Sequence, residues 1–422
     1  MAVVDLPPSG SHHLRVASPD VGVSESIAPH DVGLRYATAS DGLQGELNQV
    51  IIGLPPIAPD SPAAQLTAAE GVRYLVDVAL CIVAVLLAAE LAATFAIRHV
   101  REVGGDITGV EDILLRANGP AQQGAYIALL GDSVVKDSAL RRAIGRGAKH
   151  STIAAYAAED ARRQLPTASI VDLGLDGALV NDFAGILSLL FSESAPPSAV
   201  IVQLDYRVLS PIHDEEQNLS RQWLAPYVPV VTPSASIGYT TPELLSRPID
   251  ERVHRALLRS RAYVMLRSGR RSLEASILDR LDAGRQPPDD TPTDLQALKL
   301  LVAPFYRTDR SLERSRVLPD LLRAIDAAVA RGIPVLLCFT PANFDFLGDG
   351  ANVPNYRANV GAAEAAIRAT FGATGLVRWL SLEGEVPTRM FLDHCHLTAD
   401  GNRLVAARAI DNLSMLLADA HR

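Results

Sequence analysis

The sequence predicts an α/β protein with a three-layer, doubly wound parallel β-sheet, and two observations lead to this prediction. From about residue 124 onward, short apolar runs of strand length alternate with longer helical stretches, a pattern typical of parallel sheets. The short runs are almost continuously apolar, as expected for strands that are buried on both faces. The predicted strands are 125–130, 168–173, 199–204, 333–339 and 377–381.

The tail ahead of this domain, residues 1–70, is rich in Pro, Ser, Gly and Asp and shows no helical or strand periodicity. This composition predicts disorder. The tail holds eight acidic residues and only two arginines. Together with the lack of an aromatic-studded basic face elsewhere, this balance predicts no nucleic-acid partner. The tail also lacks the basic start and short apolar run of a signal peptide.

Residues 71–98 are predicted to form one transmembrane helix, because Tyr74–Ile97 is nearly continuous in Leu, Val, Ala and Ile. A helix of this length spans roughly 30 Å of hydrocarbon. Asp77 and Glu90 oppose the prediction, since a carboxylate near the bilayer centre costs about 2.5–3.5 kcal/mol on insertion scales. The alternative is an Ala-rich helix buried in a protein core.

The rest of the chain is predicted as a linker over 99–123 and a folded domain over 124–422. Helical patterns occur near 138–164 and at 317–331, the second ending at Gly332. These helices lie between the predicted strands, as a doubly wound sheet requires.

Residues 208–316 break this rhythm with a proline-rich part, a basic helical part and a polar loop at Gln286–Thr293. They follow the third strand, so they begin at the carboxyl edge of the sheet, where ligands bind in open α/β folds. The segment is therefore predicted to be a helical insertion that caps the active-site end.

Two short motifs supply the parts needed for acyl transfer. Gly131-Asp132-Ser133 follows the first strand, so Ser133 is placed where the sheet edge meets solvent. Near the C-terminus, Asp393 precedes His396 by three residues. A serine nucleophile, a histidine base and an orienting carboxylate together form a hydrolytic triad. The structural alternatives are a helix N-cap for Ser133 and a surface histidine for His396.

The two motifs resemble the first and last blocks of the SGNH (GDSL-like) hydrolases, whose fold is flavodoxin-like. The second block, a strand leading into Gly-x-x-Gly, is matched by Gly174-Leu175-Asp176-Gly177 after Val171-Asp172-Leu173. The resemblance covers roughly 124–422, with the insertion unmatched. It implies that the backbone N–H groups of Ser133 and Gly177 point at the oxyanion.

The third block departs from the family pattern, which places Gly-x-Asn-Asp after the third strand. Here Asp205-Tyr206-Arg207 follows that strand, with no asparagine. Arg207 could donate to an oxyanion, bind an anionic substrate or form a salt bridge with Asp205. Asn181 and Asn343 are the other candidates for the missing donor, the second because it follows the fourth strand.

Several other residues are assigned no catalytic or metal-binding role. His394 lies next to Asp393 but has the wrong spacing for the family motif. Cys81, Cys338 and Cys395 are unclustered, so they predict neither a disulfide framework nor a zinc site. A disulfide between Cys338 and Cys395 is left open. No metal or organic cofactor is predicted.

The function predicted from these features is that of a membrane-anchored serine hydrolase cleaving a carboxylic ester, with O-acyl groups on a glycan or lipid as candidate substrates. Two alternatives remain: an O-acyltransferase with the same triad, and a non-catalytic SGNH-like scaffold that binds a carbohydrate or protein. The resemblance favours an extracytoplasmic domain. Arg98 and Arg101 outnumber Arg73 across the apolar run, and the positive-inside rule favours the opposite side.

Overall fold

A computed structural model describes residues 68–99, 107–121, 124–136, 150–214, 222–227, 249–270 and 295–420. The tail up to residue 67 and the loop at Gln286–Thr293 lie outside the described residues. In chain order the helices and strands are α1 Ala68–His99, α2 Val110–Ala121, β1 Ala125–Leu130, α3 Ser133–Lys136, α4 Ile153–Gln164, β2 Ala168–Asp172, α5 Val180–Glu193, β3 Ala199–Leu204, α6 Tyr206–Leu209, α7 Ile249–Leu258, α8 at 261–270, α9 Leu295–Arg307, α10 Val317–Val329, β4 Val335–Phe339, α11 Phe344–Leu347, α12 Val353–Phe371, β5 Val377–Ser381 and α13 Ala399–Ala420.

The chain divides into two units, Met1–Val83 and Ala84–Arg422. In the first unit the described residues are the N-terminal half of α1. Along α1, Val72–Ala96 is long and apolar enough to cross a membrane, as the sequence predicts. Residues 72–89 are exposed, which does not fit the alternative of a helix buried in a protein core.

The second unit contains a parallel sheet of five strands in the order β2-β1-β3-β4-β5. The strands coincide with the predicted ones to within two residues at their ends. β3 and β4 are buried at every position, because both faces of the sheet are covered. This confirms the predicted α/β class and the parallel sheet.

Successive side chains of a strand point to opposite faces of the sheet, and β1 shows both cores. Ala128 and Leu130 face a core formed with helices α2, α5, α10 and α12. Ile127 and Leu129 face a second core formed with α4 and α13. The turn that follows β1 therefore starts from a strand packed on both faces.

The range predicted as a linker, 99–123, contains a helix of the core. In α2, Ile113 and Leu114 are fully buried and pack against the sheet. Its two buried acids have distant partners: Asp112 accepts a hydrogen bond from Ser268 at 2.6 Å, and Glu111 lies 3.7 Å from Arg267. The prediction of a linker is therefore wrong for Val110–Ala121.

The predicted insertion lies between β3 and β4, and its described residues are helical. They include α7, α8 and α9, and they contain no strand. Helix α9 packs against α6 and α11, which follow the carboxyl ends of β3 and β4. Short 3-10 turns complete this edge of the sheet at Pro211–Asp214, Gln222–Tyr227, Leu312–Arg314 and Gly348–Gly350.

Candidate active site

The turn after β1 presents Ser133 at the carboxyl edge of the sheet. Gly131 is required there, because a Cβ at this position would lie 2.3 Å from Val135 Cγ2. The Asp132 carboxylate accepts the Val134 N–H at 2.9 Å and so caps the short helix α3. Ser133 is the first residue of α3 and is only partly buried, so its hydroxyl is available for chemistry.

The histidine motif forms a tight turn around its own aspartate. Asp393 Oδ1 accepts the backbone N–H groups of Cys395 at 3.0 Å and His396 at 2.9 Å. The Leu392 N–H donates to the His396 carbonyl at 2.8 Å, which closes the turn. The spacing of three residues lets one carboxylate hold both the backbone and the ring of His396.

The structure brings Ser133, His396 and Asp393 together in a hydrogen-bonded series. His396 Nε2 lies 2.9 Å from Ser133 Oγ. The other ring nitrogen, Nδ1, lies 2.8 Å from Asp393 Oδ2 and 3.0 Å from Oδ1. This arrangement fixes the tautomer that carries its proton on Nδ1 and leaves Nε2 free to accept the serine proton.

The electrostatics of this series favour protonation of His396. Burial opposes ionisation of Asp393, but hydrogen bonds from His396 and the Cys395 amide outweigh it and hold the pKa of this carboxyl well below its usual range. For His396, burial alone would lower the pKa. The hydrogen bond and negative charge of Asp393 overcome burial, so the pKa of His396 is raised.

His394 occupies a different environment, although it adjoins Asp393 in sequence. It is buried among aromatic rings, 5.8 Å from Tyr306 and 6.3 Å from Phe346 between ring centroids. Burial lowers the pKa of His394 to about 4, so the ring is neutral at neutral pH. It makes no described hydrogen bond with Ser133, and its nearest polar partner is Cys395 Sγ, 3.2 Å from Nε2.

The same motif also contains the donor atoms of a metal site. One ligand atom from each of Asp393, His394, Cys395 and His396 lies within 4.8 Å of the others. Burial raises the pKa of the Cys395 thiol well above its usual range, so this thiol is protonated while no metal binds it. A metal would also take Nδ1 of His396 from Asp393. In the arrangement described above, both ring nitrogens of His396 already have partners, Asp393 at Nδ1 and Ser133 at Nε2. Cys338 and Cys395 are both free thiols.

Gly177 lies in the loop after β2, which runs beside the nucleophile turn. The Leu175 N–H donates to the Gly131 carbonyl at 2.9 Å, and this bond ties the two loops together. Gly177 itself has φ 71°, a left-handed conformation that other residues adopt at a cost of about 1–2 kcal/mol. The glycine of the second motif block is therefore explained by its backbone geometry.

Arg207 lies directly after β3 and bonds to the nucleophile turn. Its Nη2 is 2.5 Å from Asp132 Oδ2, and both side chains are largely buried. The sequence allows three roles for Arg207, and the structure shows one of them, a salt bridge. Its partner at hydrogen-bond distance is Asp132. The charges of Asp132 and Asp205 raise the pKa of Arg207, although burial opposes this.

Asn181 is directed away from the role of oxyanion donor. Its Nδ2 donates to Asp320 Oδ2 on α10 at 2.9 Å. Asn181 lines a cavity of about 430 Å³ with Asp320 and three arginines, Arg314, Arg316 and Arg323. Its side-chain donor is thus committed to Asp320 rather than to the serine.

Asn343 supports the histidine motif from the next loop. Its Nδ2 donates to the Asp393 carbonyl at 3.0 Å, and its backbone N–H donates to the His394 carbonyl at 2.9 Å. Its Oδ1 accepts the Phe346 N–H at 3.2 Å and caps α11. The side chain and the backbone N–H of Asn343 thus both hold the backbone of the histidine motif.

Two further residues near the triad were missed by sequence reasoning. Asp205 is fully buried, caps α6 through Val208, and has its pKa raised to about 7 by burial and the Asp132 charge. Tyr306 comes from the insertion and is fully buried against His394. The position of Asp205 directly after β3 could have indicated that it lies near the site. Tyr306 lies in a helix whose sequence contains no motif, so nothing in the sequence indicated its position.

Comparisons with known proteins add little to this geometry. No protein-family model matches the chain, and no curated protein matches it. Among solved structures, one similar chain is a Streptococcus pneumonia protein provisionally named a platelet activating factor, at 11% identity and TM-score 0.31, covering 82% of this chain and 100% of that one. Another is a family two carbohydrate esterase from Clostridium thermocellum in complex with cellohexaose, at 10% identity and TM-score 0.30, covering 70% of this chain and 65% of that one. At these values the likeness establishes neither a family nor an activity.

Proposed function

We propose that this chain is an SGNH-type serine hydrolase that cleaves a carboxylic ester through an acyl-enzyme. The single observation that carries the proposal is the position of His396, with Nε2 2.9 Å from Ser133 Oγ and Nδ1 2.8 Å from Asp393. A serine, a histidine and an aspartate bonded in this order are the working parts of nucleophilic acyl transfer.

In the first half-reaction, Ser133 Oγ attacks the ester carbonyl carbon while His396 Nε2 takes the hydroxyl proton. The tetrahedral intermediate then breaks its bond to the leaving oxygen, and His396 returns the proton to release an alcohol. Asp393 stays ionised throughout and stabilises the imidazolium, which agrees with its lowered pKa.

In the second half-reaction, water takes the place of the alcohol. His396 accepts a proton from the water as its oxygen attacks the acyl carbon, and Ser133 leaves with the proton that His396 gives back. The products are a carboxylic acid and the regenerated serine. The Ser133 and Gly177 backbone N–H groups are proposed to bind the oxyanion in both halves.

The salt bridge between Arg207 and Asp132 takes the place of the third-block asparagine in this proposal. Asp132 neighbours the nucleophile, so its position affects the direction of the Ser133 N–H. Arg207 then acts as a positioning residue that holds the turn, rather than as a donor to the oxyanion.

The proposed setting is a membrane surface, with α1 as a single anchor. A helix apolar over Val72–Ala96 is consistent with this setting. We propose ester substrates carried on a glycan or lipid at that surface, on the extracytoplasmic side.

The experiment is hydrolysis of p-nitrophenyl acetate by the full chain in detergent. Ser133→Ala is expected to remove nearly all activity, and Ser192→Ala, a serine bonded to Leu189 on α5, is the matched control and is expected to keep it. An active Ser133→Ala protein would exclude the covalent mechanism.

A further inference from the structure

From Glu90 onward one side of α1 is covered, while Leu91 and Phe95 stay exposed, by 72% and 67%. All residues from 72 to 89 are exposed, whereas Glu90 and Thr94 are partly covered and Ala93 is buried. Eighteen residues at 1.5 Å each span about 27 Å, close to the roughly 30 Å hydrocarbon core of a bilayer. If the part of α1 that is exposed on all sides crosses a membrane, Glu90 lies at the boundary between hydrocarbon and headgroups.

Glu90 has specific partners at this boundary. Its carboxylate accepts hydrogen bonds from the Ser260 hydroxyl at 2.9 Å and from the backbone N–H groups of Arg261 at 2.9 Å and Ala262 at 3.1 Å. Arg261 also donates to Thr94 Oγ1 at 3.0 Å. The carboxylate that opposed a membrane span in the sequence thus caps the N-terminus of α8 and attaches the insertion to α1.

The segment attached in this way, α7 and α8 over 249–270, contains both buried and exposed apolar side chains. Leu258 and Val264 are buried in the main core. Val253, Leu257 and Leu266 are exposed, Leu266 by 73%. Val253 and Leu257 are four residues apart and so lie on the same side of α7. The side chain of Arg259, between the two helices, is 75% exposed.

We propose that the 249–270 segment binds the lipid bilayer, with Val253, Leu257 and Leu266 inserted at the boundary between headgroups and acyl chains. The proposal rests on the membrane anchoring proposed above. Its occupant is lipid because the segment is bonded to Glu90, the point along α1 beyond which the helix is no longer exposed on all sides. Apolar side chains flanked by arginine are typical of helices that lie in the interface.

This contact would set the orientation of the active site towards the membrane. The 249–270 segment belongs to the insertion that also supplies Tyr306, whose ring lies 5.8 Å from that of His394. The same insertion therefore reaches from the proposed bilayer contact to the histidine motif. Esters carried in the membrane surface would be presented close to Ser133, without leaving the interface.

The test uses the full chain in phosphatidylcholine and phosphatidylglycerol vesicles, with a nitroxide attached to one cysteine in a Cys81→Ala background. Labels at Leu257→Cys and Leu266→Cys are compared with Met415→Cys, an exposed apolar position on α13. Power saturation is expected to show that the labels at positions 257 and 266 are more accessible to oxygen than to a water-soluble nickel complex. The label at position 415 is expected to be more accessible to the nickel complex than to oxygen. Equal accessibility at all three positions would overturn the proposal.

A second measurement avoids the label. Leu266→Trp is expected to be quenched by brominated lipid beyond the quenching of the native tryptophans, and Met415→Trp is not. Absence of added quenching for Leu266→Trp would overturn the bilayer contact. If such a chain still hydrolyses p-nitrophenyl acetate, the hydrolase proposal stands and the lipid contact alone has failed.

Discussion

Arg207 Nη2 lies 2.5 Å from Asp132 Oδ2, directly beside the nucleophile. Asp132 is fully buried and also caps α3 through the Val134 N–H. After β3, Arg207 thus supplies a cation that pairs with the buried carboxylate of the turn that follows β1. The buried ion pair between Arg207 and Asp132 therefore links β3 to the turn that carries Ser133.

Loss of Arg207 is expected to destabilise the protein strongly. Arg207→Met leaves Asp132 as an uncompensated buried charge, and breaking a buried pair in this way costs about 3–5 kcal/mol. Asp132→Asn keeps an acceptor for Val134, so the double variant is expected to recover much of this loss. The free energy of unfolding is measured by heat or denaturant for the native protein, the two single variants and the double variant. If the losses of the single variants simply add in the double variant, Arg207 and Asp132 do not pair directly.

The pH profile of kcat/KM is expected to fall on the acid side as His396 becomes protonated, because only the neutral ring can accept the serine proton. Burial alone would lower the pKa of His396, but Asp393 raises it above the ordinary 6.5. Asp393→Asn removes that charge, so the acid limb is expected to move to lower pH while the maximal rate falls. An unmoved limb would show that another group titrates.

Stability is expected to depend on Asp205, whose pKa is raised to about 7 from an ordinary 3.8 by burial and by the Asp132 charge. The folded protein then binds this proton more tightly than the unfolded chain. Stability therefore falls as pH rises between these two values. In Asp205→Asn the side chain still accepts the hydrogen bond from the Val208 N–H, but it no longer binds or releases a proton in this range.

The melting temperature of Asp205→Asn relative to the native protein is therefore expected to rise between pH 5 and pH 8. Asp309→Asn changes an exposed carboxylate and serves as the control, with no such trend expected. A constant difference for Asp205→Asn over this range would mean that Asp205 is ionised throughout.

Asn343→Asp tests support of the histidine motif. The aspartate keeps an acceptor for Phe346 but loses the donor to the Asp393 carbonyl, a hydrogen bond worth about 1 kcal/mol. A drop in kcat of up to about tenfold is expected. Asn352→Asp is the matched control, because Asn352 caps α12 in the same way and donates to Thr308 instead. Equal losses in both variants would indicate a general effect on stability.

The sequence predicted the sheet well for a physical reason. Strands buried on both faces are apolar along their whole length, as in Ala199–Leu204, so a short apolar run marks them directly. The contact between Asp393 and His396 was predictable because their spacing of three residues lets them share one turn.

The missed features depend on distant partners. Helix α2 resembles a linker because it contains Glu111, Asp112 and a proline, yet both acids are buried against residues of the insertion. Asn181 was predicted as a candidate oxyanion donor, but its side-chain amide donates to Asp320, which lies far along the chain. Local patterns do not report such pairings.

Ser133, His396 and Asp393 are expected to act as one unit. Ser133→Ala and His396→Ala should each reduce esterase activity by about 10³-fold or more, and the double variant should be scarcely worse. His394→Ala should cost little activity, because the neutral ring does not contact the serine. Activity lost in His394→Ala and kept in His396→Ala would reverse the assignment of the base.

Covalent modification of Ser133 is the most direct test of the mechanism. The full chain in detergent is treated with a fluorophosphonate, digested, and the adduct located by mass spectrometry. The adduct is expected on Ser133, retained in His394→Ala and largely lost in His396→Ala. An adduct on another residue, or labelling of Ser133 that is equal in the native and His396→Ala proteins, would contradict a nucleophile activated by His396.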